Sequence, residues 1–234
     1  MSEPVPVLVT LHVWRVADRQ VPAAVLRMAL DRRQVRRLTG LRFGKLLGTG
    51  DGRRFTVRAA DPTHWALLCA WSGRDSADAF ERSAVARNWR RIAAERWRVD
   101  LRPLSARGQW SGREPFGRPE TARWEGPVAA LTRARISPRR LVRFWRAVPP
   151  VAADLQQRPG LLATLGVGEA PVGVQGTFSL WDSAEALRDF AYRRPAHQTA
   201  IRRTAEERWY AEELFARFAV VGSAGTLFGA DPLA

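Results

Sequence analysis

Apolar residues fall into short runs and longer helical stretches that follow one another in the same order twice. In the first half, Pro22 opens a helical pattern that extends to about Arg37, and Ser76 caps a second predicted helix that extends to about Trp97. Runs rich in β-branched and aromatic residues predict the strands. They are Val7–Val16, Leu41–Gly48, Trp65–Trp71 and Arg98–Leu104. The resulting order, β-α-β-β-α-β, is that of a ferredoxin-like unit.

The second half repeats this order. A helix is predicted from Arg140 to about Gln157, and another from the cap Ser183, past His197, to about Glu213. In each half a glycine-rich segment after the second strand, Gly48–Gly52 or Gly166–Glu169, predicts a turn. The predicted strands are Pro127–Ile136, Leu161–Gly166, Gln175–Trp181 and Leu214–Val221.

The repeated order predicts an α+β fold in which two tandem ferredoxin-like units form a dimeric α+β barrel within one chain. Residues 1–105 form the first half, and residues 126–234 form the second, which would bind the cofactor. Residues 106–125 form a linker rich in Gly, Pro and aromatic residues, without helical or strand periodicity. The aromatic content of this linker suggests that it packs against the barrel.

Composition and charge narrow the classes of partner. The chain has 46% hydrophobic residues, one cysteine and no signal-peptide-like N-terminus, so a globular cytoplasmic protein is expected. Its net charge of +15 favours anionic partners: nucleic acid, an acidic electron-transfer protein or an anionic membrane surface. Because no nucleic-acid-binding motif is present, nucleic acid is not expected.

Three histidines are available for chemistry. His12 lies in an apolar strand and is interpreted as structural, whereas His64 precedes a strand in a turn and is expected to be exposed. Aligning residues 205–209 with residues 93–97 places His197 opposite Val85, so the second half alone carries a histidine there. A lone helical histidine is more often structural than a ligand, but the broken symmetry makes His197 a candidate.

Other catalytic schemes find little support. The sequence has no HExxH, GxSxG, P-loop or GxGxxG motif. Haem requires one axial ligand and an apolar pocket, which His197 and the aromatic residues could supply. Arg194, Arg202 and Arg203 are candidates for binding the haem propionates, and a solvated basic face is the alternative for each. The predicted pocket residues are Trp110, Phe116 and Phe178.

Several segments of the chain, taken in order, are typical of one known family. They are Phe43–Gly50, Arg107–Gly112 with Pro115–Phe116, Gly126–Pro127 with Leu131–Ala134, Gly168–Glu169, Gln175–Trp181, Pro195–Ile201 and Trp209–Phe218. On these segments the chain resembles the spheroidene monooxygenase family over nearly its whole length.

This resemblance implies a haem-dependent enzyme that uses O2 to introduce keto groups into acyclic carotenoids, with electrons from a reduced ferredoxin. It also implies a fold similar to other dimeric α+β barrel haem enzymes, such as aldoxime dehydratases and chlorite dismutases. His197 would be the axial ligand of haem b. The expected partners are a hydrophobic substrate, O2, an acidic ferredoxin and the inner membrane face as a peripheral contact; homo-oligomerisation is open. The alternatives are a haem enzyme of dehydration or N–N/N–O chemistry in a specialised pathway, and a non-catalytic haem- or ligand-binding protein.

Overall fold

The structure, a computed structural model, describes residues 4–50, 60–120, 122–136, 158–169, 176–192 and 210–234. Eight strands dominate it. They are β1 (Leu8–Val16), β2 (Leu41–Gly50), β3 (Ala60–Trp71), β4 (Ala93–Gly108), β5 (Val128–Ile136), β6 (Leu161–Gly168), β7 (Gly176–Trp181) and β8 (Tyr210–Gly225). The helices within the described ranges are α1 (Val21–Val35), α2 (Arg74–Phe80), α3 (Ala84–Ile92) and α4 (Ala184–Tyr192). None of these helices combines the length and the apolar character needed to cross a bilayer.

The strands close into a barrel in the order β1-β3-β2-β6-β7-β5-β8-β4, and every neighbouring pair is antiparallel. The N-terminal half, β1 to β4, has the spatial order β4-β1-β3-β2. The C-terminal half, β5 to β8, has the matching order β8-β5-β7-β6. The halves meet at a long seam between β4 and β8 and at a short one, where Gly48–Gly50 pairs with Gly166–Gly168.

Side chains from both halves fill the barrel. Because side chains alternate along a strand, one row of each strand points inward. Val9, Leu11 and Val13 of β1 and Leu165 and Val167 of β6 are among these buried inward residues. The interior is therefore an apolar core shared by the two halves.

A second core lies outside the N-terminal half. Here α1 and α3 pack on the sheet, and β3 is buried on both faces, from Trp65 to Trp71. A strand covered on both sides reads as a continuous apolar run, which explains the sequence WALLCAW. Ser83 caps α3, where its Oγ accepts a hydrogen bond of 3.1 Å from the Ala86 amide.

Two helix predictions are wrong in their extent. The predicted helix from Ser76 to Trp97 is two short helices, α2 and α3, and the chain turns into β4 at Ala93. Residues Ala93 to Trp97 pair with β1, and this tertiary pairing overrides their helical pattern. In the second half, Tyr210 to Glu213 belong to β8 instead of a helix. The predicted helix from Arg140 to Gln157 lies outside the described residues.

Where the structure describes the two predicted glycine-rich turns, they are strand ends instead. Gly48-Thr49-Gly50 and Gly166-Val167-Gly168 pair with each other across the short seam. Turn signals in a sequence are local, whereas this pairing forms only when the barrel closes. The strand pairing also corrects the repeat alignment: Val9 pairs with Leu101 and its counterpart Ala129 pairs with Phe218, so Trp97 corresponds to Leu214 and not to Trp209.

Candidate functional site

The outer faces of the two halves can be compared position by position. Trp71 at the end of β3 pairs with Leu8, and Trp181 at the end of β7 pairs with Val128. Residue numbers counted from these two pairs give, for each outward residue of one half, its counterpart in the other. The register shifts near the starts of β2 and β6 fall at matching positions. Four large outward residues of the N-terminal half have smaller counterparts in the C-terminal half. The pairs are Trp14 with Ala134, His12 with Thr132, Leu46 with Gly166 and Leu67 with Thr177.

In the N-terminal half, these large side chains fill the space under the helices. Trp14 stacks on Trp89 of α3 with ring centroids 4.9 Å apart, and Trp65 lies 6.2 Å from the same ring. All three tryptophans are buried. The helices therefore pack directly on the sheet.

In the C-terminal half, the matched positions carry small side chains. We call this surface the C-terminal outer face and define it by Ala134, Thr132, Gly166 and Thr177, together with Thr164 of β6, which also points outward. Ala134 and Thr164 are buried, yet the Thr164 hydroxyl has no hydrogen-bond partner. A buried hydroxyl without a partner is costly, and it marks a place where a bound group can supply one.

The predicted haem-binding residues His197, Arg194, Arg202 and Arg203 all lie outside the described residues. The described chain on either side is α4, which contacts β5 and β7, and the start of β8, where Tyr210 pairs with Ile136. Trp181, on the outer side of β7, lies 5.4 Å from Phe190 of α4. The segment that contains His197 therefore connects two elements of the C-terminal half, α4 and β8.

The predicted pocket aromatics lie in the barrel core. Phe178 contacts Trp97 at 6.2 Å between ring centroids, and Phe116 contacts Phe218 at 5.0 Å. The ring centroid of Trp110 lies 5.4 Å from that of Phe43. The gap beside Trp110 is too small to hold a water molecule. Their role as pocket-lining residues stays a prediction.

The structure reveals an ion network that the sequence analysis missed. We define it by Lys45, Arg133, Glu169 and Glu212. Glu169 accepts hydrogen bonds of 2.8 Å from both Lys45 and Arg133, and one of 2.7 Å from the Trp110 indole. Arg133 also donates to Glu212. Its side chain is 4% exposed, and its Nε has no partner.

The network ties the linker to strands of both halves. Glu212 accepts hydrogen bonds from the amides of Ser111 and Gly112. Burial opposes ionisation of Glu169, but the hydrogen bonds from Lys45 and Trp110 outweigh it and lower its pKa. For Glu212 the Ser111 amide and Arg133 likewise outweigh burial and lower the pKa. The network therefore keeps both carboxylates ionised at neutral pH, next to the Lys45 and Arg133 side chains.

One signal for this network was present in the sequence. Each of its members, together with Trp110, falls in a segment that carries the family resemblance. The segments are far apart along the chain, so only barrel closure brings them together.

The two described histidines differ from each other. His12 is buried against Phe80 and Trp14, as expected of a structural histidine. Glu81 lies 3.5 Å from its Nδ1, but burial, aided by the positive charge of Arg98, dominates and lowers the pKa of His12 to about 3.

The prediction that His64 is exposed is wrong. His64 is 6% exposed, and its Nδ1 lies 2.7 Å from Asp61 Oδ2. The Phe228 ring lies 5.1 Å away, and the His64 Nε2 has no partner. The described part of the chain contains no group of three or more His, Cys, Asp or Glu side chains that could hold a metal ion.

Comparison with solved structures defines the class of fold. The chain is similar to aldoxime dehydratase, with a TM-score of 0.54 at 14% identity over 91% of this chain and 80% of that one. An aldoxime dehydratase in complex with butyraldoxime gives a TM-score of 0.55 at 12% identity over 91% of this chain and 79% of that one. At such identities the similarity concerns the α+β barrel fold alone.

Sequence relatives are closer. Spheroidene monooxygenase of Rhodobacter capsulatus is 37% identical over 217 residues, covering 92% of this chain and 90% of that protein. The enzyme of the same name from Rubrivivax gelatinosus is 41% identical over 192 residues, 81% of this chain and 73% of that protein. No protein-family model matches the sequence. The chain belongs to the spheroidene monooxygenase family, and it is therefore an oxidoreductase of the monooxygenase type.

Proposed function

We propose that this chain is a haem-dependent monooxygenase of a hydrophobic, carotenoid-like substrate, with haem b bound at the C-terminal outer face. The replacement of Trp14 and Leu46 by Ala134 and Gly166 at matched positions carries the proposal. A flat group can lie against a sheet surface of small side chains, whereas the large side chains at the matched positions of the N-terminal half would exclude it. The partnerless hydroxyl of Thr164 gives such a group a polar contact.

His197 would hold the iron as axial ligand, and Arg194, Arg202 and Arg203 would pair with the propionates. The segment containing these residues begins after α4 and ends at β8, both on the C-terminal side of the barrel. When bound, haem supplies the activation of O2. The contribution of the chain is to exclude water with an apolar surface and to orient the substrate.

The proposed substrate class rests on the family resemblance. The relatives are named for spheroidene, and we extend the acyclic carotenoids that the resemblance implies to this chain. Ala134 and Gly166 give the C-terminal outer face an apolar part that a hydrocarbon can contact. From inside the barrel Phe178 supports this face, because it lies on β7 between the outward residues Thr177 and Ser179. An acidic ferredoxin suits the basic surface as electron donor.

The same proposal includes the finer architecture. Residues 1–105 and residues 126–234 are two tandem ferredoxin-like units, joined by the linker of residues 106–125. The matching strand order of the two halves supports this division, as do the coinciding irregularities of β2 and β6. β4 extends to Gly108, so the first unit shares its last strand with the start of the linker.

A haem titration tests the proposal. Protein produced with ample haem should show a Soret band corresponding to one haem per chain, and His197→Ala should lose or shift it. His64→Ala is the matched control, because His64 lies in the N-terminal half and should leave the band unchanged. Circular dichroism melting shows whether each variant is folded.

Activity completes the test. The loaded protein should oxygenate an acyclic carotenoid when supplied with reductant and O2. A folded protein that takes up no haem contradicts the cofactor assignment. A loaded protein that neither turns over nor changes its spectrum with carotenoid favours the non-catalytic alternative.

A further inference from the structure

The solvent side of α1 is apolar where a surface helix is ordinarily polar. The helix buries Ala24, Met28 and Val35 against the sheet. On the other side Leu26 is 54% exposed and Leu30 49% exposed. With 3.6 residues per turn, these leucines share one stripe, which runs opposite the buried residues. We call the stripe of Pro22, Val25, Leu26, Ala29 and Leu30 the α1 stripe.

Arginines continue the α1 stripe at the end of the helix. Arg33, Arg36 and Arg37 follow the leucines on the same side, and all three are exposed. The helix contains one carboxylate, Asp31, which is buried and lies 3.7 Å from Arg27. The exposed side of α1 is thus apolar over its first turns, cationic over its last, and without an exposed carboxylate.

We propose that the α1 stripe docks this protein on an anionic lipid surface. Leucines on a helix that lies in the membrane plane enter the boundary between headgroups and acyl chains. Neighbouring arginines bury their aliphatic stems and keep the guanidinium at the level of the lipid phosphates. The α1 stripe supplies both kinds of residue in adjacent turns.

Other occupants fit less well. A second copy would carry the same arginines and the same net charge of +15, so two stripes face to face would repel each other. An acidic protein would attract the arginines, but it would leave Leu26 and Leu30 without an apolar partner. A lipid surface satisfies both the charge and the exposed apolar area. The inference does not depend on haem, and it goes beyond the proposed function.

Vesicle sedimentation of the full-length protein tests the inference. Wild type should bind vesicles of equimolar phosphatidylglycerol and phosphatidylcholine, and it should bind pure phosphatidylcholine vesicles much more weakly. Leu26→Gln with Leu30→Gln should weaken binding to the anionic vesicles by about tenfold or more, because two apolar side chains no longer insert. Glutamine keeps the helix, since its helix propensity is close to that of leucine.

Charge is tested separately. Arg33→Gln with Arg36→Gln should weaken binding on the order of tenfold, and added salt should weaken the wild type similarly. Arg118→Gln with Arg123→Gln removes the same charge from exposed positions outside α1 and should have a much smaller effect. Val5→Gln with Val7→Gln is the apolar control, since both valines are exposed ahead of β1.

Three outcomes would overturn the inference. One is that the double glutamine variant of the leucines binds anionic vesicles as the wild type does. Another is that the Arg118 and Arg123 variant loses as much binding as the Arg33 and Arg36 variant, because total charge would then explain the attraction. The third is a dimer in light scattering that the leucine substitutions dissociate, which would make a second copy the occupant. Unchanged circular dichroism melting confirms that each variant folds.

Discussion

The two outer faces of the barrel are built on matching strands but filled differently. In the N-terminal half, Trp14 and Trp65 meet Trp89 of α3, and the helix rests directly on the sheet. In the C-terminal half, Ala134 stands where Trp14 stands, and Gly166 where Leu46 stands. Strand order and pairing thus determine the frame, whereas side-chain volume determines whether a face is packed or left able to receive another group.

The difference also separates two tasks. A packed outer face stabilises its half, and each lost contact has an energetic cost. A face of small residues contributes less to stability, but its small side-chain volume can accommodate a bound group. Because both halves have the same strand order, the N-terminal half can stabilise the barrel while the C-terminal half provides a binding surface.

The largest expected effect is on the packed face. Trp14→Ala should lower the free energy of unfolding by about 3–5 kcal/mol, because the indole is buried and stacked on Trp89. Urea denaturation measures this change. Haem content should stay near one per chain, as the C-terminal face is untouched. A loss of less than about 1 kcal/mol would mean that the N-terminal face is not a packed core.

The reciprocal substitution tests the C-terminal outer face. Ala134→Trp places an indole at the position that Trp14 occupies in the other half. It should weaken haem binding on the order of a hundredfold by overpacking the site, while the haem-free barrel remains folded. Haem titration with a Soret readout measures the affinity. An unchanged affinity in a folded variant would show that haem binds elsewhere. Ala130 also points outward from β5, so Ala130→Trp repeats the test at a second position.

The sequence predicts the positions of several strands well. β1 and β5 match their predicted ranges within one residue, because β-branched residues cluster where strands are buried. It fails where pairing is long-range. Gly48–Gly50 is read as a turn because glycine is a local breaker, yet this segment becomes strand when Gly166–Gly168 lies beside it.

The site shows the same limit. Arg133 and Glu169 are 36 positions apart in the sequence and look like ordinary surface charges, but barrel closure buries Arg133 and pairs it with Glu169 and Glu212. The contrast between the outer faces is also invisible until the strand pairing is known, because it is a statement about matched positions. The repeat alignment singles out His197, but the strand pairing shifts that alignment.

The next expected effect is a dependence of stability on pH, which arises from His12 on the packed outer face of the N-terminal half. His12 has a pKa of about 3 in the folded protein and an ordinary value of 6.5 when unfolded. Between these values only the unfolded chain binds the proton, so stability is complete above pH 6.5 and falls as the pH is lowered. The slope is about 1.4 kcal/mol per pH unit. Urea midpoints measured at successive pH values give this slope.

His12→Gln should remove most of the slope above about pH 5, where carboxylates in the unfolded chain are still largely ionised. Below that pH, the lowered pKa values of Glu169 and Glu212 add a further loss of stability in both proteins, because these groups are charged in the fold and protonate on unfolding. An identical slope in the variant and the wild type would show that the packed face leaves His12 accessible to protons. Thr132, the counterpart of His12, has no titratable group, so this position of the C-terminal outer face makes no such contribution.

The smallest effect concerns two buried threonines, one in each half. Thr10 Oγ1 accepts a hydrogen bond of 2.9 Å from the Trp71 indole, whereas Thr164 Oγ1 has no partner. Thr10→Val should therefore destabilise the protein by about 1–2 kcal/mol, because it leaves the indole N–H unpaired. Thr164→Val should leave the haem-free protein unchanged or stabilise it by less than about 1 kcal/mol, since it removes a hydroxyl that is paired with nothing. An equal loss in the free energy of unfolding for the two variants would mean that the hydroxyls of Thr10 and Thr164 do not differ in hydrogen bonding. A shift of the Soret band in Thr164→Val, with none in Thr10→Val, would place the hydroxyl of Thr164 against the bound haem.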